Sequence, residues 1–135
     1  MKQSITQEFD YGCGIACFSF ATNMTYKQAV HYLGSEQANS NRFLVKDIVV
    51  ALNGYGKTYK SYHVKPCVRQ MIYKEWAIVL IHRSKHYPVG HYLIRYNSKW
   101  MYPWINLPFN KDISHAKSGF RQRLPGSPMF AIIPV

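Results

Sequence analysis

Acidic side chains are scarce in this chain. Six Asp and Glu stand against 17 Lys and Arg, a formal net charge of +11 over 135 residues. The excess is uneven: residues 1–62 hold six basic and four acidic residues, whereas residues 63–135 hold eleven basic and two acidic, a net +9. Such a balance disfavours basic targets and points to nucleic acid, anionic lipid or an acidic protein. Because the basic residues are dispersed and no run of them occurs, a solubilising surface charge is the plainer alternative. Long apolar runs are also missing. None approaches the roughly 20 residues that cross a bilayer, and the opening "MKQSITQEFD" has no signal-like apolar segment. The expectation is a cytoplasmic protein with no membrane span. Cysteine is rare: Cys13, Cys17 and Cys67 make an odd count without a CxxC pair. That argues against a disulfide framework and against zinc, and no metal or cofactor is implied.

What is present suits one compact core. Hydrophobic residues make up 47% and aromatics 16%, including 11 tyrosines, which excludes a disordered chain. Repeats and linker-like segments are absent, so residues 1–135 read as a single domain. The first part is helical in pattern. An apolar stretch runs from Cys13 to about Ala21. "TYKQAVHYLG" has Thr25 and Gln28 at capping-box spacing, Ala29, Val30 and Leu33 on one face, and Gly34 as a stop. "SEQANSN" is a polar loop, and "RFLVKDIVVALNGYG" repeats apolar residues at Leu44, Ile48, Ala51 and Leu52.

The second part changes period. "KTYKSYHV" alternates like a strand, "KPCVRQMIYKE" reads as a loop or short helix, and "WAIVLIH" is a β-branched run suited to a central strand. "GHYLIRY" and "KWMYPWI" flank Asn97-Ser98 as a hairpin, and "PMFAIIPV" is a last strand closing the sheet. Helices first and an antiparallel sheet second predict an α+β fold.

The stretch "YGCGIACFSFAT" puts Cys13 at the start of the first helix. Free N–H groups there favour a thiolate, and Gly12 and Gly14 permit a sharp turn and close approach of a substrate. A small buried cysteine beside a turn is the bland alternative. Of six histidines, His91 stands out, because Gly90 precedes it and it opens the strand "HYLIRY", a rigid platform for a general base. A half-buried strand histidine is the competing reading. Asn106, fifteen residues on, is a candidate to orient the imidazole, with Asp112 the less well spaced substitute; both residue types also favour turns. The Cys13 N–H and the Gln7 amide are candidate oxyanion donors. Trp76, Trp100 and Trp104 are candidates to line a cleft, with two or more of them expected in the core.

Gln7, "CGIAC", the two helices that follow and the "GHY" strand, in that order and spacing, resemble the papain-like cysteine peptidases. The closest likeness is to the C39 bacteriocin-processing, double-glycine leader peptidases, over roughly residues 3 to 108. The resemblance implies a papain-like fold, N-terminal helices packed on a C-terminal antiparallel sheet. It implies a cysteine peptidase, with Cys13 nucleophile, His91 base, Gln7 at the oxyanion hole and cleavage after a Gly-Gly type site. The chain departs from the family in having Gly12 where an acidic residue precedes the cysteine, and Tyr102-Pro103 where the family has Asp-Pro. The third member is then Asn106, giving a Cys-His-Asn mechanism as in other papain-like enzymes, with Asp112 or no third member as the alternatives. The expected substrate is a protein or peptide, acidic near the cleft; deamidation or acyl transfer would use the same groups. The alternative from a different class is a non-catalytic papain-like module holding nucleic acid or an acidic protein on its basic part, with segments such as "KTYKSYHVK" supplying charge and stacking.

Overall fold

A computed structural model describes residues 2–34 and 44–135. Among them are three α-helices, α1 (Cys13–Thr22), α2 (Tyr26–Leu33) and α3 (Val45–Gly54), and six strands. The strands are β1 (Tyr59–His63), β2 (Ile78–Ile81), β3 (His91–Tyr96), β4 (Lys99–Tyr102), β5 (Gly119–Arg121) and β6 (Pro128–Pro134). They form one antiparallel sheet in the order β1-β6-β2-β3-β4-β5. The fold is α+β. No helix of the described residues is long and apolar enough to cross a membrane.

The helix signals act as their chemistry dictates. Thr25 Oγ1 accepts from Gln28 N at 3.1 Å and Gln28 Oε1 accepts from Thr25 N at 2.9 Å, a complete capping box. Gly34 ends α2 at φ +96°. In α3, Ile48 and Leu52 are buried, whereas Leu44 lies before the helix and is exposed; there the Asp47 carboxylate accepts the Leu44 N–H at 2.9 Å. The polar loop "SEQANSN" falls outside the described residues. Helix α1 is buried on nearly every side, so its hydroxyls turn inward on the backbone: Ser19 donates to Ala16 O and Thr22 to Phe18 O, each at 2.8 Å.

Alternation sorts the sheet into two faces. Ile78, Tyr92, Ile94, Met101 and Ile132 pack with the helices, around Ile15, Phe18 and Phe20 of α1. Val79, Ile81, Leu93, Trp100, Tyr102, Ala131 and Ile133 form a second core on the other face, under the 3₁₀ segment Pro66–Tyr73 that answers to "KPCVRQMIYKE". The hairpin turns at Asn97 and Ser98, both left-handed at φ 51° and 63°, as a two-residue turn between twisted strands requires. Two details differ from the sequence expectation. β6 does not close the sheet at an edge but inserts between β1 and β2. The outer strand β5 carries too few residues to show a period.

One register feature creates the site. β4 pairs with β3 only at Ile94–Tyr96, so among the described residues no strand lies on that flank of the first half of β3. After Tyr102 the chain turns away, and the N-terminal segment fastens to it through Gln7 N donating to Pro103 O at 3.1 Å. The start of α1 occupies the gap. On the other flank, the turn entering β3 depends on Gly90, which has φ +77°; a Cβ there would stand 2.8 Å from Ile81 O.

Gly90→Ala is therefore expected to lower unfolding free energy by about 1–3 kcal/mol, the cost of a strained left-handed residue. Gly54→Ala, where a Cβ meets nothing within 4 Å, is expected to be neutral or stabilising by up to about 1 kcal/mol. Urea denaturation of both variants tests this, and equal effects would contradict it.

Candidate active site

Cys13 and His91 open into one cavity of about 350 Å³ at the end of the sheet. They reach it from opposite faces. Cys13 rises on the helical side, where its Sγ accepts the Tyr92 N–H at 3.4 Å from β3. His91 shares parity with Leu93, and its ring lies against Tyr87, centroids 5.0 Å apart. Tyr87 is fixed in turn by Ser84, whose hydroxyl accepts the Tyr87 N–H at 3.2 Å. Leu80, Val89, Tyr92, Trp104 and Leu107 supply apolar wall, and Asp10 and Lys111 are its charged lining residues. The lining thus carries one charge of each sign, and the basic excess of the second part is not gathered there.

Burial governs the chemistry. Cys13 is 9% exposed and His91 3%. Desolvation pushes the Cys13 thiol up to about 11, against the opposing pull of the backbone N–H groups of Tyr92, Gly14 and Cys13. Desolvation also drives His91 down to about 3. At neutral pH the pair is thiol and neutral imidazole. The helix start does not yield the thiolate that its free N–H groups suggested. Cys17, one turn deeper and fully buried, is held well above the usual thiol range by desolvation and then by its coulombic coupling to Cys13. Cys67 is exposed.

The other expected positions behave differently. Gln7 is buried, but its Nε2 donates to Phe9 O at 2.9 Å and Asp10 O at 3.2 Å. Both amide protons are spent on backbone, the Oε1 is unpartnered, and Gln7 does not line the cavity. Asn106 does not orient His91. Its amide donates to His115 O at 3.0 Å and its Oδ1 accepts Lys117 N–H at 2.9 Å, closing a local turn. Asp112 caps the 3₁₀ turn Ile113–His115, accepting from Ser114 N at 3.0 Å and Ser114 Oγ at 2.8 Å and pairing with exposed His115 at 3.3 Å. Those Ser114 hydrogen bonds hold its carboxyl below the usual range. Short polar side chains find backbone partners close by before distant ones, which is why turn chemistry prevails at both. Tyr102 donates its hydroxyl to Arg123 O. Among the described residues no hydrogen bond reaches His91 Nε2, which is buried.

Gly12 serves the fold, not a substrate: a Cβ there would fall 1.9 Å from the Tyr26 hydroxyl, and its φ is an ordinary −92°. Of the three tryptophans, Trp104 lines the cavity, Trp100 belongs to the second core and Trp76 is partly buried against the helix-side core. The sequence reading missed the Tyr92 amide and Tyr87. No three His, Cys, Asp or Glu side chains among the described residues are grouped to hold a metal. No protein-family model and no curated protein matches the chain.

The buried imidazole makes stability pH-dependent. An unfolded histidine takes up its proton near 6.5, whereas folded His91 does so near 3, so between these values only the unfolded state is charged. Stability is expected to fall as pH falls through this window, with a His91 contribution of up to about 1.4 kcal/mol per pH unit. His91→Gln should remove that part of the slope. Urea unfolding from pH 4 to 7 tests this, and identical slopes in the two proteins would contradict it.

Proposed function

We propose that the protein is a papain-like thiol hydrolase that cleaves a peptide or isopeptide bond with Cys13 as nucleophile and His91 as base. The single observation supporting the reading most is that a cysteine opening a helix and a histidine opening a strand, 78 residues apart, border one cavity. The resemblance to the C39 peptidases supports the same two roles.

Because both groups are neutral, proton removal accompanies attack. Cys13 Sγ forms a bond to the substrate carbonyl carbon as its proton passes to His91, and the carbonyl π pair moves to oxygen, toward the Cys13 N–H. The tetrahedral species then expels the amine, which takes the proton from His91, and leaves a thioester on Cys13. Water, deprotonated by His91, adds to the thioester; the acid departs and the thiol is restored. A primary amide as substrate makes the same sequence a deamidation, and an amine in place of water makes it acyl transfer. Orientation of His91 falls to the tilted ring contact with Tyr87, since Asn106 and Asp112 are engaged elsewhere. A substrate with acidic residues suits the net charge. The cavity, at about 350 Å³ with Leu80, Val89 and Leu107 in its wall, has room for a larger apolar side chain than the glycine of a Gly-Gly site.

A second reading, a non-catalytic module for nucleic acid or an acidic protein, is favoured by the net charge and by the resting thiol, which burial keeps neutral.

Incubation with a proteome-derived peptide mixture, analysed by mass spectrometry, tests the first reading. Cleavage is expected from the wild-type protein, none from Cys13→Ala, and a loss on the order of 100-fold or more from His91→Ala. Asn106→Ala should lose less than about 10-fold, far below the loss seen when an orienting triad member is removed. Cleavage retained in Cys13→Ala would refute it. An inert wild-type protein whose DNA affinity collapses with added salt would establish the second reading.

A further inference from the structure

We propose that Trp104, through its indole N–H, is the side-chain donor that holds the substrate carbonyl oxygen beside Cys13, the task that Gln7 would have been expected to perform. The inference rests on the thiol-hydrolase reading and adds a residue to it.

Trp104 is 2% exposed, and its Nε1 is buried with no hydrogen-bond partner. An indole nitrogen only donates, so nothing but an acceptor can satisfy it. Buried donors are seldom left unpaired, and one on a residue that lines a cavity calls for an explanation. The wall it belongs to also contains Cys13 and His91. Gln7 cannot compete as arranged, since Phe9 O and Asp10 O take its two amide protons. Gln7 acts instead through the backbone: its N–H holds Pro103 O at 3.1 Å, fixing the residue before Trp104, while Trp104 O accepts Leu107 N–H at 3.3 Å. The donor is therefore set on a braced segment, as an oxyanion site requires. The apolar lining strengthens a hydrogen bond made there relative to one made in water.

An aldehyde isolates this step, because it has no leaving group. Cys13 Sγ bonds to the aldehyde carbon, the carbonyl π pair moves to oxygen, and the thiol proton passes through His91 to that oxygen, giving a hemithioacetal whose oxygen accepts from Trp104. N-acetyl-leucinal labelled with ¹³C at the aldehyde carbon reports the adduct by NMR. Trp104→Phe keeps the ring bulk and removes the N–H; its affinity for the aldehyde is expected to fall on the order of 100-fold. Its rate of Cys13 alkylation by iodoacetamide, which forms no oxyanion, should stay close to the wild-type rate. Undiminished aldehyde affinity in Trp104→Phe overturns the inference and leaves the hydrolase reading standing. A wild-type protein that forms no Cys13 adduct overturns both. Should Trp104→Phe fail to fold, the wild-type spectrum decides: the Trp104 indole N–H resonance, assigned by nuclear Overhauser contacts, moves downfield on adduct formation if the inference holds and stays in place if it does not.

Discussion

The contact between the start of α1 and the open flank of β3 is the constraint from which the site follows. Here β4 covers only Ile94–Tyr96, and the Tyr92 N–H meets Cys13 Sγ at 3.4 Å. Burial of Ile15, Phe18 and Phe20 against the sheet holds the helix in that gap. Each such side chain contributes about 1.5–3 kcal/mol when removed from water, so the cysteine is positioned by hydrophobic packing well below it, not by its own weak hydrogen bond.

The same packing decides the ionisation of the pair. A helix start favours an anion by about 0.3–1 kcal/mol at an exposed position. The Cys13 thiol moves instead from 9.0 to about 11, and at about 1.4 kcal/mol per unit the opposing desolvation is the larger effect. His91 is moved in the opposite direction for the same reason, since burial penalises whichever form is charged. The proposed chemistry is thus one of coupled proton transfer in a largely apolar cavity, whose lining residues His91 and Trp104 each carry a buried, unpartnered ring nitrogen. The buried Cys13 thiol is shielded, and the exposed Cys67 is the more accessible to solvent reagents.

Local signals in the sequence were legible where a single element decided them. The Thr25–Gln28 cap, the Gly34 stop, the Asn97-Ser98 turn and the β-branched run at Ile78–Ile81 each depend on neighbours within a few positions. So did the placement of Cys13 and His91 at element starts, which brought both to one cavity. The insertion of β6 between β1 and β2 was not legible, because strand order is fixed by pairing between distant segments. The same limit applied to the candidate site. Spacing along the chain put Asn106 and Asp112 near the imidazole, but their hydrogen bonds go to Lys117, His115 and Ser114 within the same turn region. The glycine at position 12 suggested access for a substrate, whereas the space it frees is filled by the Tyr26 hydroxyl, fourteen residues away in α2.

The account stands on Cys13 and His91 acting on one acyl group in their common cavity. Site-resolved acylation by p-nitrophenyl isovalerate, a small apolar ester, tests this most directly, with the modified cysteine located by peptide mapping. A thioester on Cys13 that forms in the wild-type protein and is lost in His91→Ala is the predicted result. Acylation confined to the exposed Cys67, or a Cys13 thioester that forms equally fast without His91, would contradict it.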